Sequence, residues 1–193
     1  MDMKSKKRVN SMRKGSSFER AVCRQLSLWF SYGKNEDLFY RTAGSGARST
    51  SMAKRGKTTA NSAGDIGYLD AAGKPLIEAI TFELKCGYNN TDTTSLIDTA
   101  PGRKRPQLLE FIEQAVDSAK NAQSKYWAVI HKRNGKQALI HFSMSMWQQI
   151  QEFVVNRGNL QITYVSATEC EIVSMPFATF LEMVSPELFG ATK

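Results

Sequence analysis

Gly64-Asp65-Ile66-Gly67-Tyr68-Leu69-Asp70 and, after Ala71-Ala72-Gly73-Lys74, Pro75-Leu76-Ile77-Glu78-Ala79-Ile80-Thr81-Phe82-Glu83-Leu84-Lys85 together decide how this chain is read. A lone acid opens the first apolar run, and a Glu-x-Lys triplet closes the second. Two such runs around a short Gly-containing segment predict a β-hairpin. Folding it back sets Asp65 beside Glu83. Side chains alternate along a strand with period two, so Glu83 and Lys85 share a face. Two converging carboxylates suit a hard cation such as Mg²⁺, which binds through one or two carboxylates and keeps waters for phosphate. A lysine beside them can orient or deprotonate an attacking water and balance phosphate charge. The same triplet, taken alone, also reads as solvated charges at a strand end.

The charge distribution points the same way. Of 193 residues, 26 are Lys or Arg and 18 are Asp or Glu, a formal net charge of +8. Residues 1–57 hold 14 basic against 4 acidic side chains, while the remainder holds 12 against 14. A basic excess ahead of Asp65 favours a polyanionic partner, nucleic acid before membrane. No apolar run is long enough to span a bilayer, and the basic N-terminus lacks the apolar core of a signal peptide. Cys23, Cys86 and Cys170 are widely spaced and odd in number. They fit a reducing, cytoplasmic setting and indicate neither a disulfide framework nor a zinc site.

Residues 1–14 read as a disordered basic tail without period. Ser16-Ser17-Phe18-Glu19 starts a helix with Phe18, Val22, Leu26 and Trp29 on its apolar stripe, which Gly33 stops. Ser16-x-x-Glu19 fits a capping box, which competes with a site role for Glu19. Leu38 to Thr42 reads as a strand. The segment 43–63 is long for a structureless loop, so it is functional or mobile. Arg41, Arg48, Lys54, Arg55 and Lys57 can hold phosphates there, and Ser45 and the glycines allow close approach to a sugar-phosphate strand. Gly56-Lys57-Thr58 is not a P-loop, because Ser51 stands where the first glycine is needed. A second polar loop, 87–106, ends in Arg103-Lys104-Arg105 and could close over the site. Gln107 to Gln123 reads as a helix burying Leu108, Ile112, Ala115, Val116 and Ala119, with Gln114 on the far side. Asn134-Gly135 reads as a two-residue hairpin turn, a register that puts His131 and His141 on opposite faces. Residues 143–193 carry no chemical signature and read as packing support or as an oligomer surface.

The order is a helix with Glu19, a strand with Arg41, a Gly-Ser-Gly loop, Gly64-Asp65-Ile66, and Phe82-Glu83-Leu84-Lys85 before a helix and strand. This order resembles the PD-(D/E)XK nuclease superfamily. Lys14-Gly15-Ser16-x-Phe18-Glu19-Arg20 and Arg41-Thr42-Ala43-Gly44-Ser45-Gly46-Ala47 are similar to its Holliday-junction-resolvase-like branch. The resemblance covers about residues 14–142. It implies an α/β (α+β) fold with a restriction-endonuclease-like core at 15–142. A central mixed β-sheet flanked by helices would carry a C-terminal α/β extension, 143–193, within a single domain. It implies Mg²⁺, with Mn²⁺ able to substitute, held by Asp65, Glu83 and the Leu84 carbonyl, with Glu19 joining directly or through water. Lys85 becomes the water-activating residue, and Arg41, Ser45, Arg48, Lys54, Arg55, Lys57, Arg103, Lys104 and Arg105 become DNA contacts. The implied activity is DNA endonuclease cleavage in recombination or repair, and a junction-cutting enzyme needs two active sites, as a homodimer supplies. Gly64 stands where the superfamily usually has proline. The competing reading is a catalytically silent DNA-binding protein on the same fold.

Overall fold

The computed structural model describes residues 11–42, 64–100, 102–154, 161–167 and 170–192. Ser45, Arg48, Lys54, Arg55 and Lys57 lie outside the described residues. Helix α1 spans Ser11–Phe30. Val22, Leu26 and Phe30, one turn apart, are buried with Cys23 beside them. The helix therefore begins ahead of Ser16, and the expected capping box is not formed. Met12, Arg13 and Lys14 are good helix formers, so a helix anchored by its apolar face propagates through them. Glu19 then lies beyond the first four residues, whose amides alone need a cap.

The predicted hairpin is not formed either. Strand β1 (Phe39–Arg41) pairs antiparallel with β2 (Ile66–Tyr68). After β2 the Asp70 carboxylate accepts from the Ala72 amide at 2.8 Å and opens a 3-10 turn over Ala71–Gly73. Helix α2 (Lys74–Ala79) follows, with Pro75 in its first turn. Proline lacks the amide a strand ladder needs but is preset for a helix start, so Asp70 and Pro75 begin a helix where a strand was expected. Strand β3 is left with Ile80–Cys86.

The chain then runs through the short α3 (Ser95–Asp98) and the longer α4 (Gln107–Ala122) to β4 (Tyr126–Lys132), which lies parallel to β3. Strand β5 (Ala138–Ser143) returns antiparallel and leads into α5 (Met144–Ile150). Strands β6 (Thr163–Ala167) and β7 (Cys170–Pro176) and helix α6 (Phe177–Met183) finish the described chain apart from a 3-10 turn at Pro186–Phe189. The sheet order is β3-β4-β5-β7-β6. This mixed sheet flanked by helices is the restriction-endonuclease-like class that the sequence implied.

Period two divides the core between the two faces of the sheet. Phe82, Leu84, Ala128, Ile130, Ile140, Phe142, Val173 and Met175 join the cluster that includes α1 and α6. Val129, Val165 and Ile172 pack against Leu108, Phe111, Ile112 and Ala115 of α4. Burying each large apolar side chain contributes about 1.5–3 kcal/mol, and Phe82, Phe142 and Phe180 are fully buried. Trp29 of α1 donates its indole N–H to the Val184 carbonyl at 3.0 Å and packs on Phe180 and Phe189. The C-terminal segment thus holds α1 in place. Among the described residues, no helix is long and apolar enough to cross a membrane.

One register differs from expectation by a single residue. Lys132 pairs with Ala138 and Val129 with His141, so the β4–β5 loop is longer than Asn134-Gly135. The Lys136 amide closes on the Arg133 carbonyl at 3.2 Å. A one-residue slip moves every side chain to the other face. His131 and His141 accordingly share a face, with ring centroids 6.2 Å apart.

Candidate active site

Asp65 and Glu83 do meet, through β3 rather than through a hairpin. The Asp65 amide donates to the Phe82 carbonyl at 2.8 Å, and Asp65 Oδ2 accepts from the Leu84 amide at 2.8 Å. Phe82 and Leu84 present their main-chain groups to the edge away from β4. The Leu84 carbonyl leaves the strand on the same edge as its amide, beside the Asp65 carboxylate. Thr42 fixes the approach: its amide donates to the Asp65 carbonyl at 2.9 Å and its hydroxyl to the Gly64 carbonyl at 2.7 Å. Gly64 has φ +89°, and a Cβ there would sit 2.6 Å from the Phe82 carbonyl oxygen. Only glycine fits this junction without strain.

Glu83 and Lys85 share the α4 face of β3. Lys85 Nζ donates to Glu83 Oε1 at 2.6 Å, and Glu83 is 2% exposed. Burial, and then the Asp65 charge, push the Glu83 carboxyl up to about 7, against the pull of Lys85. Glu19 faces the same cluster from α1. Its carboxyl is raised by burial, lowered by Arg41 and raised again by Asp65. Arg41 Nε lies 3.2 Å from Glu19 Oε2. The structure thus gathers Glu19, Arg41, Asp65, Glu83 and Lys85 from α1, β1, the β2 approach and β3.

Residues 10–189 match the model of the family described as "Phage putative PDDEXK endonuclease". The chain belongs to this PDDEXK endonuclease family. No curated protein and no solved structure matches it. The family match extends the likeness past residue 142, through β6, β7 and α6.

The cluster is joined by two side chains that sequence reasoning missed. Gln114 Oε1 accepts from Lys85 Nζ at 2.8 Å, and the Phe111 ring lies 5.1 Å from the same ammonium. Gln114 therefore does not point away from the core as expected. At 100° per residue it sits on the flank of the α4 apolar stripe, next to Phe111 and Ser118, and a helical projection of residues 107–122 carries that signal. Of the other expected DNA contacts, Arg103 and Lys104 are exposed, and Arg105 pairs with exposed Glu113 at 2.7 Å. Arg41 ends β1, on the strand expected for it, and is engaged with Glu19.

The histidines have local partners. His131 lies opposite Lys85 in the parallel ladder and donates from Nε2 to the Tyr88 carbonyl at 3.3 Å. His141 Nδ1 lies 2.7 Å from the Ser174 hydroxyl, and full burial holds its imidazole down at about 3, so it is neutral at physiological pH. Among the described residues, no three His, Cys, Asp or Glu side chains form a metal-holding group. Asp65 and Glu83 do supply two neighbouring carboxylates, the donor type of which Mg²⁺ takes one or two while filling the rest of its shell with water and phosphate.

Proposed function

We propose that this endonuclease is a divalent-metal-dependent endodeoxyribonuclease that hydrolyses DNA phosphodiester bonds. The observation that carries it is the Lys85 ammonium fixed 2.6 Å from buried Glu83, with Asp65 bonded to the intervening Leu84 amide. Asp65, Glu83 and the Leu84 carbonyl would hold Mg²⁺ or Mn²⁺, with Glu19 reaching it directly or through water. When bound, such an ion supplies Lewis acidity toward a phosphoryl oxygen. Lys85 has three N–H donors. Glu83 and Gln114 take two, leaving one to orient an attacking water or meet a phosphoryl oxygen. Arg41, the basic residues of 45–57 and Arg103, Lys104 and Arg105 neutralise phosphates without reading sequence. The Gly-Ser-Gly segment and the Glu19 motif favour a resolvase-like preference for branched DNA, which two copies of the chain would cut as a homodimer.

The test offers linear, supercoiled and four-way-branched DNA to the protein with Mg²⁺, with Mn²⁺ and with chelator. Cutting is expected only with metal, and cleavage undiminished in chelator would sink the mechanism. Cation binding must expel the Glu83 proton, since the carboxylate is the ligand form. The sign follows from a carboxyl raised to about 7. Apparent metal affinity, measured by calorimetry with Mn²⁺, should fall about tenfold per pH unit below 7 and level off above it. A flat profile between pH 5.5 and 7 would remove Glu83 from the ligand set.

Glu19→Gln tests the α1 carboxylate. Glutamine keeps a hydrogen-bond acceptor for Arg41 but not the charge. Melting should shift little, within about 0.5 kcal/mol as for ordinary surface changes, while cleavage falls more than about tenfold, as removal of a group supporting a metal site does. Full activity would leave Glu19 as the ion-pair partner of Arg41 alone.

A further inference from the structure

We infer that Tyr88 and the β4–β5 turn form a binding surface for single-stranded nucleic acid beside Lys85, which makes unpaired nucleotides the preferred substrate feature. This deepens the nuclease reading and rests on it for the link to cleavage. The segment after Lys85 is laced to the end of β4. The Gly87 amide donates to the Lys132 carbonyl at 2.9 Å, the His131 ring to the Tyr88 carbonyl at 3.3 Å, and the Asn134 amide to Asn89 Oδ1 at 2.8 Å. Two loops thus make one platform at the strand ends that carry the site.

The platform combines an aromatic with cations. Tyr88 is 40% exposed, and its ring meets Phe111 at 4.9 Å and 67°. In an edge-to-face contact, whichever ring supplies the edge, Phe111 leaves at least one face of Tyr88 uncovered. Phe111 in turn lies against the Lys85 ammonium, so a base stacked on Tyr88 would sit one ring away from it. Lys132 and Lys136 are exposed and Arg133 half-exposed on the adjoining turn. Asp92 is the acid in the reach of Arg133, and it is engaged by the Thr94 hydroxyl and the Ser95 amide. Aromatic faces interleaved with cations are what single strands bind, through base stacking and phosphate neutralisation. Duplex bases are stacked on one another and offer Tyr88 no face, so flaps, gaps and single-stranded ends are selected over plain duplex.

The experiment measures binding in chelator, where no metal-dependent cutting occurs, of a 2-aminopurine-labelled single strand and of a duplex of equal length. The proteins are wild type, Tyr88→Leu, Tyr88→Trp and a Lys132→Gln/Arg133→Gln/Lys136→Gln variant. Tyr88→Leu, which keeps an apolar contact with Phe111, should weaken single-strand binding about tenfold and abolish quenching, with duplex binding changed less than about twofold. Tyr88→Trp should retain both. The triple variant should lower the slope of log affinity against log salt by about 2, at roughly 0.7 per single-strand contact. Unchanged quenching in Tyr88→Leu, or equal losses for single strand and duplex, overturns the proposal. Cleavage is scored separately in Mg²⁺. Tyr88-dependent binding without any cleavage would sink the nuclease reading alone, and cleavage without it would sink this surface alone.

Discussion

Lys85→Met should lower DNA cleavage by about 10²–10⁴-fold or more, the usual contribution of a positioned proton-transfer group, while DNA affinity in Ca²⁺ stays close to wild type. The ammonium is held from three sides by Glu83, Gln114 and Phe111, so it does not wander among the surface cations. It is one of 26 basic residues, and its loss barely alters the long-range field that drives association. An interaction made chiefly in the transition state affects turnover rather than binding. Methionine keeps the stem against Phe111, and Glu83, already raised by burial and Asp65, can take a proton when its counter-charge is gone, so folding survives. The paired measurements are gel-shift affinity in Ca²⁺ and single-turnover cleavage in Mg²⁺. Wild-type cleavage by the variant would remove Lys85 from the mechanism. Parallel loss of binding and cleavage would favour a silent DNA-binding protein.

Gly64→Pro should abolish cleavage although it restores the residue usual in the superfamily. Proline fixes φ near −65°, whereas Gly64 has φ +89°. Even alanine would bring a Cβ to 2.6 Å from the Phe82 carbonyl and 2.8 Å from the Thr81 methyl group. Gly64→Ala combines about 1 kcal/mol of left-handed strain with that clash, itself worth about 1–3 kcal/mol. At roughly 2–4 °C per kcal/mol for a chain of this size, the melting temperature should drop by about 5–10 °C. The junction moves Asp65, and a 1 Å misplacement costs about 10²-fold in rate. Thermal melts and cleavage of both variants check this. A proline variant with native melting and cleavage would show that the junction tolerates a negative φ.

The site was more legible than the path by which the chain reaches it. Period two placed Glu83 and Lys85 on one face, and that depends only on the strand itself. The meeting of Asp65 with Glu83 was also anticipated, but through a hairpin, because the apolar run after Pro75 reads as strand whereas Asp70 and Pro75 start a helical segment there. Glu19 was ambiguous while Ser16 stood as a helix start, since a capping box and a site carboxylate use the same residue. The capping alternative falls because helix formers upstream carry α1 past Ser16. The histidines were misplaced by one residue of loop length, the smallest error that reverses a strand's faces. Gln114 was overlooked because composition ranks a helix-flank glutamine as solvent-facing. Its partner lies on a different element, 29 positions away, and local pattern does not report such pairings.

The bond from Trp29 to Val184 joins residues 155 positions apart. Translation delivers α1 well before its clamp. Until the α6 region emerges, the helix that carries Glu19 has no C-terminal floor to settle on. The parallel β3–β4 pair likewise waits for the whole crossover through α4, and such non-local pairings form slowly because the loop must close before its contacts reward it. The cluster of Glu19, Asp65, Glu83 and Lys85 is therefore assembled late, although the residues that form it are among the earlier ones synthesised.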